Sequence, residues 1–173
     1  MKKSLGRAFI FSFIAFALVG LLFLIIAYSI GDSIDVLFTM FSQHPGLIIE
    51  YILRPLRYFP WEIFNEFFTT LYVSTKTWYI GMFVALIIAS LVAGITGGSI
   101  KNAFLGWALM MIFSIILYII PFSFDYLTLN HTCGSCTYLE GVIKVVFIGI
   151  IHILIFGCIT IFTALIIGRR KKY

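Results

Sequence analysis

Four runs without a charged residue constrain the fold of this chain more than any other feature. They cover residues 8–31, 78–100, 102–124 and 145–168, and each contains 23 or 24 residues. As α-helices these runs are roughly 35 Å long, enough to cross a hydrocarbon core of about 30 Å. They lack the alternation of barrel strands, and lipid admits only helices and closed barrels. The sequence therefore predicts an all-α integral membrane protein, a bundle of four transmembrane helices.

The composition of the chain supports the same class. Only 11% of its residues are charged and 62% are hydrophobic, whereas a water-soluble domain carries about 25% charged residues. The first run follows Lys2, Lys3 and Arg7, as a secretory signal does, but its apolar core exceeds the roughly 7–15 residues of a signal peptide. We therefore expect a retained signal anchor, with cleavage after 27–29 as the alternative.

The basic residues predict the orientation. Eight of the twelve fall before the first run, between the second and third, or after the fourth: Lys2, Lys3, Arg7, Lys101, Arg169, Arg170, Lys171 and Lys172. All seven acidic residues fall in the two remaining segments, 32–77 and 125–144. Because basic residues near helix ends stay inside, both termini are predicted to be cytoplasmic, with 169–173 as a basic tail. The partner that the +5 charge indicates is the lipid bilayer, and nothing points to nucleic acid.

The longer outer segment, 32–77, is rich in aromatic residues and interrupted by Pro45, Pro55 and Pro60. After Pro60, large apolar residues recur at helical spacing: Trp61, Phe64, Phe68 and Leu71. This pattern predicts an amphipathic helical extracytoplasmic segment between helices 1 and 2, lying flat on the outer membrane surface. Its function is either to cover the bundle and the lipid headgroups or to dock partner helices.

A stripe of small residues marks the second run. Every fourth residue is Gly or Ala: Gly81, Ala85, Ala89, Ala93 and Gly97. Small residues let helix backbones approach closely in lipid. The stripe is predicted to pack within the chain, with the second and third runs as an antiparallel hairpin. A subunit interface is the alternative.

Ionisable residues are nearly absent from the four runs. His152 lies within the last run, together with Cys158 and Thr160, and the runs contain no carboxylate and no Arg. A lone histidine at such a position is predicted to be a neutral hydrogen-bonding residue between helices, and a proton relay or metal ligand is the sharper alternative. The absence of a charged partner disfavours an ion-coupled transporter.

The outer loop 125–144 holds the residues with most chemistry. Cys133 and Cys136 have a Cys-x-x-Cys spacing, and a disulfide or reduced pair that tightens the loop, a redox centre and a metal site all fit it. A metal would take His131 as a third ligand and need a fourth from elsewhere. Asn130 begins a glycosylation sequon. Thr137 and Glu140 predict a capping box at the start of the last helix.

The position of this cysteine pair resembles that in one group of membrane enzymes. Four-helix, quinone-linked disulfide generators are similar in size, and in the vitamin K epoxide reductase family a Cys-x-x-Cys also begins the last helix. The resemblance implies thiol–disulfide exchange at Cys133 and Cys136. The chain departs from these enzymes because they use a second, loop cysteine pair, whereas 32–77 contains no cysteine and Cys158 lies within a run.

Taken together, these features favour a non-catalytic multi-pass membrane protein. The stripe and the amphipathic segment predict an accessory subunit or assembly factor of a larger membrane complex, with membrane-protein partners or a homo-oligomer and no cofactor. An extracytoplasmic thiol–disulfide oxidoreductase that uses Cys133 and Cys136 is the alternative, and an oligomeric pore is a third possibility.

Overall fold

The computed structural model describes residues 2–31, 34–43, 46–124 and 137–170, and these residues are helical almost throughout, without a strand. The elements are α1 (Lys2–Gly31), α2 (Ile34–Gln43), α3 (Gly46–Leu53), a 3₁₀ turn (Arg54–Arg57), α4 (Pro60–Thr69), α5 (Val73–Thr96), α6 (Ile100–Phe124) and α7 (Tyr138–Arg170). The prediction of an all-α chain is confirmed for this part of the sequence.

Four of these helices, α1, α5, α6 and α7, are long and apolar enough to cross a membrane. They contain most or all of the four charge-free runs, and α1, α5 and α7 begin five to seven residues earlier than the runs do. The early start of α7 has a local cause. The Thr137 amide donates to Glu140 Oε2 at 2.7 Å, and the Glu140 amide donates to Thr137 Oγ1 at 3.4 Å. The predicted capping box is confirmed.

α1 is antiparallel to α5 and parallel to α6. A Cβ built on Gly31, at the end of α1, would lie 2.6 Å from Ser74 near the start of α5, and one built on Gly81 would overlap Phe23. On the other side, Phe9 and Phe13 of α1 both make edge-on ring contacts with Phe113 of α6.

α7 occupies the opposite corner of the bundle. It runs antiparallel to α6, since Gly149 meets Ile115 and Gly157 meets Phe104. It runs parallel to α5, since the Phe156 ring contacts Phe83 and, further along both helices, the Thr160 hydroxyl donates to the Ser90 carbonyl at 3.1 Å. α5 packs far more extensively against α1 than against α6. The expected antiparallel hairpin of the second and third runs is present, since a short turn joins α5 to α6, but the more extensive contact of α5 is with α1.

A tight turn joins α5 to α6 at one end of the bundle. Gly98 has a φ of 68°, a left-handed conformation that suits glycine. Asn102 Nδ2 donates to Ser4 Oγ at 2.8 Å, which holds this turn against the start of α1. The start of α1, the Lys101 turn and the end of α7 thus share one end of the bundle. α3, α4 and the acidic residues that the structure describes lie towards the other end.

Candidate functional site

The segment 46–58, which we call the inserted segment, enters the bundle instead of lying across its end. The Ile52 carbonyl oxygen lies 3.3 Å from a Cβ built on Gly20, in the middle of α1. At about 1.5 Å per residue, Gly20 is roughly 16 Å from the end of α1. The chain then returns to the same end through α4. The first part of the inserted segment packs against both α1 and α6, whereas the position of the amphipathic helix after Pro60 on the outer membrane surface stays a prediction.

Apolar side chains and two prolines explain why the chain folds this way. The residues of the inserted segment that are buried in the core include Leu47, Leu53, Pro55 and Leu56. Pro55 occupies the first turn of the 3₁₀ helix and Pro60 the first position of α4. Proline favours the start of a helical turn and cannot continue one, so the chain changes direction between short elements at the tip.

His152 of α7 holds the tip of the inserted segment. Its Nε2 lies 3.1 Å from the Pro55 carbonyl oxygen and 3.0 Å from the Tyr58 carbonyl oxygen, and the side chain is 0% exposed. Both partners are acceptors, so Nε2 carries the proton and donates. Nδ1 is buried and has no hydrogen-bond partner among the described residues.

The chemistry of this contact follows from the broken helix. The Pro55 carbonyl also accepts from the Tyr58 amide at 3.3 Å. The Tyr58 carbonyl follows the 3₁₀ turn and has no continuing helix to supply a donor, and leaving such a group unpaired in an apolar interior is costly. His152 supplies the donor to the Tyr58 carbonyl and a second donor to the Pro55 carbonyl. The sequence predicted a neutral hydrogen-bonding residue at this position, and the structure identifies its acceptors as backbone groups of the inserted segment, not as another long helix.

The inserted segment also brings charge into the bundle. Glu50 is only 2% exposed. The Arg54 guanidinium carbon lies 3.7 Å from the Trp78 ring centroid and 5.2 Å from that of Tyr51, and these two rings stack with centroids 5.3 Å apart. A guanidinium over aromatic faces is stabilised by cation–π attraction.

α4 leads the chain from the tip of the inserted segment back to the end of the bundle, and its aromatic side faces outward. Ile63 is buried against the bundle, whereas Trp61, Phe64 and Phe68 are 56%, 57% and 63% exposed. The Phe59 amide donates to Glu62 Oε2 at 2.8 Å and caps the helix start. A groove of about 160 Å³ between α4 and α5 is lined by Ile63, Phe64, Phe67, Tyr79, Ile80, Phe83 and Val84.

The small-residue stripe lies inside the bundle. Gly81 meets Phe23 of α1, Gly97 meets Ala103 of α6, and Ala85, Ala89 and Ala93 between them are fully buried. A repeat of four residues drifts around a 3.6-residue helix, so the stripe turns from one neighbour to the next.

The candidate residues of the outer loop, Asn130, His131, Cys133 and Cys136, lie outside the described residues, so a disulfide, redox, metal or glycosylation role for them stays a prediction. Cys158 is described: it is exposed, and its thiol donates to the Leu154 carbonyl of its own helix at 3.3 Å. The described part of the chain contains no group of three or more His, Cys, Asp or Glu residues placed to hold a metal.

Sequence reasoning missed Glu50 and Arg54 because it looked for charge only within the four runs. The signal was present in the apolar stretch 46–53, which contains Glu50 and is followed by a turn with Arg54 and Arg57 on either side of Pro55. Comparison with known proteins adds nothing to the site, since no family model, curated protein or solved structure matches this chain.

Proposed function

We propose that this chain is an integral membrane protein that works as a non-catalytic accessory subunit or assembly factor and binds a partner membrane protein through the outward face of α4. Four membrane-length helices support insertion. The start of α1, the Lys101 turn and the described end of α7 lie at one end of the bundle, which supports cytoplasmic termini. A protease added to sealed right-side-out cells should leave a C-terminal tag intact, and loss of the tag would overturn this orientation.

The outward aromatic side of α4 carries the proposal for a partner. Three large side chains, Trp61, Phe64 and Phe68, are more than half exposed on one short helix. Aromatic residues are the usual anchors of protein interfaces, because each buries a large area at low conformational cost. The groove beside them provides a concave surface into which a partner side chain fits.

The inserted segment explains how this face is held. It precedes α4 directly, and its tip is bonded to α7 through His152. α4 is therefore anchored to the core at its first residue, Pro60, and packed on α5 through Ile63. A rigid surface loses little conformational entropy on binding, and that favours a stable complex.

A photo-crosslinking pair tests the proposal in native membranes. A photoreactive amino acid replaces Phe68 in one variant and Phe162 of α7 in the other; the two side chains are 63% and 65% exposed. We expect a discrete protein adduct from position 68 and lipid adducts from position 162. Identical lipid adducts from positions 68 and 162 would mean that the outward face of α4 contacts lipid alone, and would contradict the proposal of a partner protein.

A further inference from the structure

A second groove lies on the outer surface between α1 and α6, away from α4. It has a volume of about 350 Å³ and is lined by Phe9, Leu109, Ile112, Phe113 and Ile116. From Leu109 to Ile116 it follows α6 for about 10 Å. At the end of the groove nearer the start of α6, Gly106 lets Ala8 approach closely. Further along α6, the ring contact of Phe9 with Phe113 forms the floor of the groove.

A basic residue, Lys101, lies beyond the end of the groove that is nearer the start of α6. Lys101 is exposed in the first turn of α6. Residues four, eight, eleven and fifteen positions after it are Leu105, Leu109, Ile112 and Ile116, so Lys101 and the groove share one side of the helix. Leu105, also partly exposed, bridges the interval between them. The surface therefore offers a positive charge at the end of the bundle and a continuous apolar path that leads away from it.

We propose that Lys101 and the α1/α6 groove together bind one anionic phospholipid, with its phosphate at Lys101 and one acyl chain along the groove. This inference rests on the membrane insertion proposed above, and it goes beyond the partner role because it concerns another surface. A zwitterionic lipid fits the groove equally well, so the charge at Lys101 is what selects the anionic one.

Native mass spectrometry of the purified protein tests the site. The protein is released from nanodiscs that contain equal amounts of phosphatidylglycerol and phosphatidylcholine, and single-lipid adducts are counted. We expect roughly a fivefold preference for phosphatidylglycerol, the effect of one basic residue near an anionic lipid. Lys101→Gln should abolish the preference. The matched control Lys144→Gln, at the opposite end of the bundle, should keep it.

A second pair of variants tests the groove separately from the charge. Leu109→Trp fills the groove from an exposed position and should lose the adduct while Lys101 is intact; Ile116→Trp replaces it if Leu109→Trp does not fold. Free glycerol phosphate should not displace the lipid.

Three results would overturn the proposal. They are an unchanged preference in Lys101→Gln, an adduct that survives groove filling, and a protein dimer in place of a lipid adduct. Because the assay uses purified protein, its outcome does not depend on the α4 partner.

Discussion

Two fully buried contacts in this molecule are built on opposite principles. Where α5 meets α1, glycine and alanine bring two regular helices together, and Gly81 faces Phe23 without a polar group between them. Where α7 meets the inserted segment, a histidine donates to Pro55 and Tyr58. A regular helix satisfies its own backbone, so its contacts require only fitting shapes, whereas a broken helix requires a donor from outside.

The largest effect should come from the first contact. Gly81→Leu inserts a side chain where even a Cβ overlaps Phe23, and we expect a loss of about 3 kcal/mol of stability. The melting temperature in detergent should fall by roughly 6–12 °C. Gly6→Leu is the control, because nothing lies within 4 Å of a Cβ at Gly6. Equal shifts in the two variants would show that shape does not govern the α1/α5 contact.

The second contact should depend on the donor more than on volume. His152→Leu keeps a side chain of similar size but removes the donor to the Tyr58 carbonyl and one of the two donors to the Pro55 carbonyl, and should cost about 2 kcal/mol. Hydrogen exchange at 54–59 should accelerate. His152→Gln keeps an N–H donor and should lose less than half as much. If the two variants are equally unstable, the hydrogen bonds are not what holds the inserted segment.

The Arg54 contact sharpens the comparison, since it is polar but joins side chains only. Arg54→Gln and Trp78→Leu should be coupled by about 1 kcal/mol in a double-mutant cycle, because the guanidinium lies 3.7 Å from the Trp78 ring. Thermal unfolding of the four proteins gives the coupling. A value indistinguishable from zero would assign the stability of the inserted segment to His152 and apolar packing alone.

The smallest effect should come from a hydrogen bond between two regular helices. Thr160 donates to Ser90 of α5 at 3.1 Å, whereas Thr163 donates only within α7, to Ile159 at 2.8 Å. Thr160→Val should cost about 0.6 kcal/mol, and Thr163→Val less. A cost at Thr160 as large as that at His152 would contradict the view that regular helices need no donor from a neighbour.

The same contrast explains what the sequence predicted well. Long apolar runs and a four-residue repeat are local patterns, and they indicated the helices and the stripe without knowledge of any neighbour. The whole outer segment 32–77 was expected to lie on the membrane surface. An amphipathic pattern shows that a helix has two different sides, but it does not show which side packs against the protein. On α4, Ile63 is the side chain buried against the bundle, whereas the aromatic side chains Trp61, Phe64 and Phe68 remain exposed.

The site was predicted less completely than the fold for a related reason. The residues of a short apolar helix such as 46–53 do not reveal that the hydrogen-bond donor to the turn after it is His152 of α7, roughly 100 positions away in the sequence. His152 was singled out as a polar residue, but its acceptors belong to a turn that forms only in the tertiary structure. Pairings between distant segments depend on topology, which a local pattern does not encode.

The bond between His152 and the inserted segment also sets an order for assembly during synthesis. The acceptors at Pro55 and Tyr58 leave the ribosome long before the donor, which belongs to the last helix. Until α7 arrives, the Tyr58 carbonyl lacks its His152 donor, whereas the Pro55 carbonyl can already accept from the Tyr58 amide. Arrival of the fourth long helix then completes the core and supplies the Tyr58 carbonyl with its donor, so the tip of the inserted segment is held only after α7 has been made.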